Sequence, residues 1–157
     1  MNYIERVNPD IVAIDAPFNM PKKGNMRDCD LTMKQIGLNP LPPTLPGMRI
    51  LVERANLLLN WLNKIGIKAI EVFPAGALRF LGYKKKPKSN AERIRIIRDI
   101  MKSLNLRSSR GIYKISPDAF DGLICAITGL AYLTDNFVEI RGEHCSVIFP
   151  VELGKWK

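Results

Sequence analysis

Four carboxylates stand at positions where their chemistry matters. Asp15 closes the run Ile11-Val12-Ala13-Ile14-Asp15, and Glu71 lies within the apolar run IKAIEVF. Asp118 and Asp121 are three residues apart in SPDAFDG, a spacing that sets two side chains on one face of a helix. Crowded carboxylates repel one another and take up protons, whereas Mg²⁺ or Mn²⁺ neutralises them through hard oxygen ligation. Two such ions about 3.5 to 4 Å apart activate a water and steady the leaving oxygen in phosphoryl hydrolysis. Plainer roles compete. Asp15 before Ala-Pro is also a turn former, and Asp118 also suits the positive end of a helix dipole. Glu71 is the hardest to explain without a partner, because a carboxylate among Ile, Val and Phe costs free energy unless paired or metal-bound.

These residues need a scaffold that brings distant segments together. IVAID reads as a short strand covered on both faces, ended by Pro17. RDCDLTMKQIG reads as a short helix closed by Gly37, and NPLPPTLPG as irregular chain. From Met48 to Ile65 apolar residues recur at helical spacing, with Gly66 as the stop. IKAIEVF then reads as a second buried strand, parallel to the first because a helical crossover joins them. Pro74 ends it, and AGALRFLG has room for one or two helical turns. Ser89 and Glu92 form a capping-box pair opening a helix from about Asn90 to Leu104. Ser116-Pro117-Asp118 opens the apolar helix DAFDGLICAITGLAYL. FVEI and SVIF, joined by RGEHC, read as a terminal hairpin. The expectation is a single α/β domain over residues 1–157, with Asp15 and Glu71 at the carboxyl edge of parallel strands, where open α/β sheets bind ligands. If the start of the last helix meets that edge, all four carboxylates converge.

Twenty-four Lys and Arg against fifteen Asp and Glu give a formal charge of +9, which draws polyanions. Lys84, Lys85, Lys86 and Lys88 beside Tyr83 have the composition of a segment that tracks phosphates and stacks a base, or of a solvated loop. Arg27 has two partners in prospect, a phosphate or Asp30. His144 beside Glu143 reads as an exposed hairpin residue without a catalytic role, and Met20, Met26, Met33 and Met48 as core filler. Cys29, Cys125 and Cys145 are odd in number and widely spaced, which points to reduced structural thiols and away from a disulfide framework or a zinc site. With no apolar stretch of membrane-spanning length and no secretory layout at MNYIERVNPD, the expected setting is a soluble protein of the cytoplasm.

In order and spacing, VAIDAPFNMP, MRDCD, IEVFPAGALRFLG and SPDAFDGLICAITG, followed by a hairpin ending in IFP, resemble the predicted nucleases of domain-of-unknown-function family 429. The likeness runs across nearly the whole chain. It implies a ribonuclease H-like fold, a mixed sheet with parallel central strands flanked by helices. It also implies metal-binding acids at Asp15, Glu71, Asp118 and Asp121, with Arg27 and Asp30 near them, and phosphodiester hydrolysis assisted by Mg²⁺ or Mn²⁺. The family pattern begins with an antiparallel unit whose first strand carries a metal-binding Asp. Here the chain opens in what reads as the helix before the fourth strand, an N-terminally truncated form. The strand ending at Asp15 is then expected to lack a neighbour, with a homodimer or the terminal hairpin as compensation. Two alternatives to a nuclease accompany this expectation: a catalytically impaired module that binds nucleic acid or a protein, and a hydrolase of a small phosphorylated metabolite.

Overall fold

The structure is a computed structural model that describes residues 2–108 and 111–156. Its centre is a four-stranded sheet built from β1 (Ile11–Ile14), β2 (Lys68–Val72), β3 (Phe137–Arg141) and β4 (Ser146–Pro150), in the spatial order β1-β2-β4-β3. β1, β2 and β4 run parallel, and β3 joins β4 antiparallel as the outer arm of the terminal hairpin. The fold is thus α/β with a mixed, mostly parallel sheet. The hairpin joins the sheet beside β2, on the side away from β1, so it does not supply the neighbour that β1 was expected to lack, and among the described residues β1 remains an edge strand.

The helices follow from the same sequence signals. α1 (Asn2–Val7) leads into β1. α2 (Asp28–Gln35) ends before Gly37, whose φ of +80° is the left-handed conformation that an L side chain resists. α3 (Pro46–Lys64) is the crossover between β1 and β2 and begins with Pro at its first turn. α4 (Pro74–Phe80) follows β2 directly, and α5 (Asn90–Ser103) opens with the reciprocal Ser89 and Glu92 capping box. α6 (Pro117–Leu133) opens with Ser116 accepting a hydrogen bond from the Ala119 N–H at 3.1 Å. That cap holds the start of α6 in place.

The core draws on both faces of the sheet, since the register sets Val147 beside Glu71 and Ile148 beside Val72 and all of β4's apolar residues are buried. Ile70 and Val72 of β2 and Val147 and Phe149 of β4 pack with Leu78 of α4, Ile97 and Ile100 of α5, and Phe120 and Ile124 of α6. Gly76 lets α4 approach closely, since a Cβ there would lie 2.6 Å from the Phe149 ring. Met33 is buried as expected, but Met20 is exposed and is not core filler. Among the described residues, no helix is long and apolar enough to cross a membrane.

The expectation that all three cysteines stay reduced is corrected. Cys29 and Cys145 form a disulfide across 116 residues, and only Cys125 is a free, buried thiol. The bond ties the first turn of α2 to the β3–β4 turn. Their separation in sequence hides a proximity that only the folded sheet creates.

Candidate functional site

The parallel pairing of β1 and β2 does bring Asp15 and Glu71 to one edge, but not to one face. In the register Ile14 lies opposite Glu71, and aligned residues of neighbouring strands share a face while successive residues alternate. Asp15, one residue beyond Ile14, therefore belongs with Ala13 and Ile70 on the face covered by α6. Glu71 belongs to the opposite face, towards α3 and the segment 16–27.

On that opposite face Glu71 is buried at 5% exposure, and so are Arg27 at 5% and Asp30 at 1%. Arg27 places its Nη1 2.8 Å from Glu71 Oε2 and its Nη2 2.7 Å from Oε1. Its Nε and Nη2 donate to the two oxygens of Asp30 at 3.0 and 2.8 Å, and Nη1 also donates to Asn19 Oδ1 at 3.3 Å. A guanidinium has five N–H donors, and these contacts use them all. Arg27 has none left for a phosphate. The Phe18 N–H donates to Glu71 Oε2 at 2.9 Å, so both Glu71 oxygens are engaged as well. Burial pushes the Glu71 carboxyl above its usual range, with the Arg27 hydrogen bonds and charge opposing. Burial likewise works against the Arg27 charge, but the Asp30 and Glu71 hydrogen bonds outweigh it and hold the guanidinium firmly protonated. Two carboxylates on one cation make an anionic cluster, so the desolvation cost falls on the carboxylate side. Arginine, not a metal, is what makes a carboxylate tolerable within β2.

Asp15 meets a different neighbour. Loss of hydration first, and the negative charge of Asp121 second, push its carboxyl up to about 6, with Lys86 pulling the other way. The residue as a whole is exposed, so solvent moderates the hydration effect and the repulsion from Asp121 is the chemically informative part. Asp121 Oδ2 is 2.5 Å from Lys86 Nζ. Its Oδ1 is buried and has no hydrogen-bond partner. Cys125, one helical turn beyond, has its thiol raised by burial and then by the charges of Asp15 and Asp121. Asp118 is exposed in the first turn of α6.

The four-carboxylate cluster therefore divides. Asp15 and Asp121 come together at the carboxyl end of β1 and the start of α6, while Glu71 is locked on the other face by Arg27. Among the described residues, no group of three or more His, Cys, Asp or Glu side chains is placed to hold a metal ion. The donor set does not fit a two-ion centre. It fits one hydrated Mg²⁺ or Mn²⁺, which keeps several waters and takes one or two carboxylates together with substrate phosphate. The orphaned Asp121 Oδ1 is an oxygen suited to such an ion.

Of the basic residues, Lys84, Lys85 and Lys88 are exposed on the loop before α5, whereas Lys86 is turned to Asp121. Tyr83 is partly buried against the core, so the ring expected to stack a base is largely engaged. His144 is exposed and pairs with Glu143. A half-open cavity of about 240 Å³ lies beside Asp15, floored by Arg27, Asp30 and Glu71 and walled by Met33, Met48 and Phe73. Arg27 and Asp30 were expected near Glu71, and Asp30 as a partner of Arg27, but the direct Arg27–Glu71 ion pair was not foreseen, because nothing local links charges 44 residues apart. No family model, curated protein or solved structure matches this chain.

Proposed function

We propose that the chain is a divalent-metal-dependent phosphodiester hydrolase of ribonuclease H-like architecture, acting on nucleic acid. The observation that carries this reading is the meeting of Asp15 and Asp121 at the carboxyl edge of a parallel sheet, with a buried carboxylate oxygen left without a partner. Asp15 and Asp121 would hold Mg²⁺ or Mn²⁺, with Asp118 one turn away on the rim. When bound, the ion would supply charge neutralisation and a water of lowered pKa. The chain's own residues do the positioning. Arg27, clamped to Glu71 and Asp30, fixes the segment after β1, and the Asn56 Nδ2 holds the Phe18 carbonyl at 3.1 Å. Lys86 pairs with Asp121 as a half-exposed cation, placed to give way to an ion or to meet a phosphate oxygen.

Cleavage of single-stranded, double-stranded and hybrid oligonucleotides in Mg²⁺, in Mn²⁺ and in EDTA tests this, alongside Mn²⁺ binding followed by paramagnetic broadening. Cleavage and Mn²⁺ binding should both be lost in Asp15→Asn and Asp121→Asn. Cleavage indifferent to chelation, or Mn²⁺ binding that survives both substitutions, sinks the assignment. The second reading, a nucleic-acid-binding module without catalysis, draws on the capture of Glu71 by Arg27, which leaves few ligands. Oligonucleotide binding with no cleavage in any metal would select it. The cavity beside Asp15 supports the small-phosphoester reading, which the same assay on a chromogenic phosphomonoester would select. A cytoplasmic setting remains part of the proposal, and the Cys29–Cys145 bond weighs against it, since disulfides persist mainly in oxidising compartments.

A further inference from the structure

The residues 112–115 form a ledge along α5. Asn90 donates from Nδ2 to the Tyr113 carbonyl at 3.2 Å and accepts from the Ile115 N–H at 2.9 Å. Arg93 Nε adds a bond to the Ile115 carbonyl at 3.0 Å. Between ledge and helix runs an open groove of about 380 Å³, with Ile94 and Ile112 at its base and Arg95, Arg98 and Asp99 on the helix side. Tyr113 closes the other side and is 82% exposed. Its ring lies over Gly111, where a Cβ would collide with it. Neither Arg95 nor Arg98 is held in a salt bridge among the described residues. An aromatic of this size, held by a fixed backbone yet open to water, has no packing role to explain it.

The loop that precedes α5 links the helix carrying this groove to the acid pair. Arg95 acts on Tyr83, and from Tyr83 the loop carrying Lys84, Lys85 and Lys88 leads back through Lys86 to Asp121. Cationic side chains flanking a stackable ring fit a chain of phosphates with unpaired bases, because a ring accepts any base face while arginines follow the backbone. A duplex hides its base faces and leaves Tyr113 nothing to stack on.

We propose that the α5–Tyr113 groove binds single-stranded nucleic acid, with Tyr113 stacking a base and Arg95 and Arg98 contacting phosphates, and so feeds the strand towards Asp15 and Asp121. This deepens the nuclease reading by naming its substrate form, but its test does not depend on hydrolysis.

Fluorescence anisotropy of a labelled mixed-sequence single strand and of its duplex, measured on the full chain in EDTA, is the experiment. Wild type should prefer the single strand, and Tyr113→Ala should weaken that binding roughly tenfold or more, with Tyr113→Phe restoring it. Arg95→Ala with Arg98→Ala should reduce the slope of log affinity against log salt by about 1.4, the release expected for two single-strand phosphate contacts. Lys22→Ala with Lys23→Ala, outside the groove, is the charge-matched control. The proposal is overturned by absent binding, by a duplex held as tightly as the single strand, by Tyr113→Ala behaving as wild type, or by an equal slope change in the control. Groove-dependent binding without cleavage supports this proposal while defeating hydrolysis. Metal-dependent cleavage with groove-independent binding does the reverse.

Discussion

Asp15 and Glu71 both stand at the carboxyl edge of the sheet, Glu71 buried and Asp15 exposed, and both carboxyls are pushed up by lost hydration, yet their neighbours give them opposite chemistry. Asp15 faces a like charge and is free to accept a cation. Glu71 already has one. For Asp15 the native pKa of about 6 lies above the ordinary 3.8, so the folded protein holds a proton that the unfolded chain has released. Its contribution to stability therefore falls as pH rises through that window and stays lost above it. Carboxyl carbon NMR in metal-free buffer should show Asp15 titrating near 6, and Asp121→Asn should move the midpoint towards 3.8. A wild-type midpoint already in the ordinary range would remove the repulsion on which the site depends. Glu71 calls for a contrasting pair of variants. Arg27→Met strands two carboxylates in the interior and should cost about 3 to 5 kcal/mol in urea unfolding. Glu71→Gln should cost less and leave Mn²⁺ binding intact. If Glu71→Gln abolishes metal binding while the fold persists, Glu71 is a ligand after all.

At the scale of elements, the helix and strand positions were legible because each has a local chemical cause: Pro17 and Pro74 after strands, Gly37 and Gly66 after helices, and Ser89 and Ser116 as caps. The parallel pairing of β1 and β2 followed from the length of the crossover. Strand register did not follow, since nothing local says whether Ile14 or Asp15 stands beside Glu71. A shift of one residue exchanges faces, and that single fact splits the expected cluster. The same blindness to distant contacts hid the Cys29–Cys145 bond. Because this bond closes a span of 116 residues between α2 and the hairpin, Cys29→Ser or Cys145→Ser should lower unfolding free energy by about 2 to 4 kcal/mol. Cys125→Ser, in an unbonded thiol, should leave the reduced and oxidised proteins differing as in wild type. Equal stability of wild type with and without a dithiol reductant would show that the bond contributes nothing.

For the molecule as a whole, the sheet is assembled from both ends of the chain. β4 inserts between β2 and β3, and its Val147 and Phe149 are fully buried in the core that α4, α5 and α6 cover. Without β4, β1 and β2 would be a two-stranded parallel pair with no third strand, a unit too small to stand alone. Ending the chain after Asn136 removes β3, β4 and half of the disulfide at once, although every carboxylate of the candidate site remains. Such a truncated chain should keep helical far-ultraviolet dichroism, lose its near-ultraviolet signal and melt without a cooperative transition. The acid pair should lose Mn²⁺ binding with it, because Asp15 and Asp121 are brought together by the packing of α6 on β1 and β4, which needs an ordered sheet. A cooperative melt in the shortened chain would mean that the first two strands and their helices already form a domain. The hairpin would then be an addition to the site's scaffold and no part of its foundation.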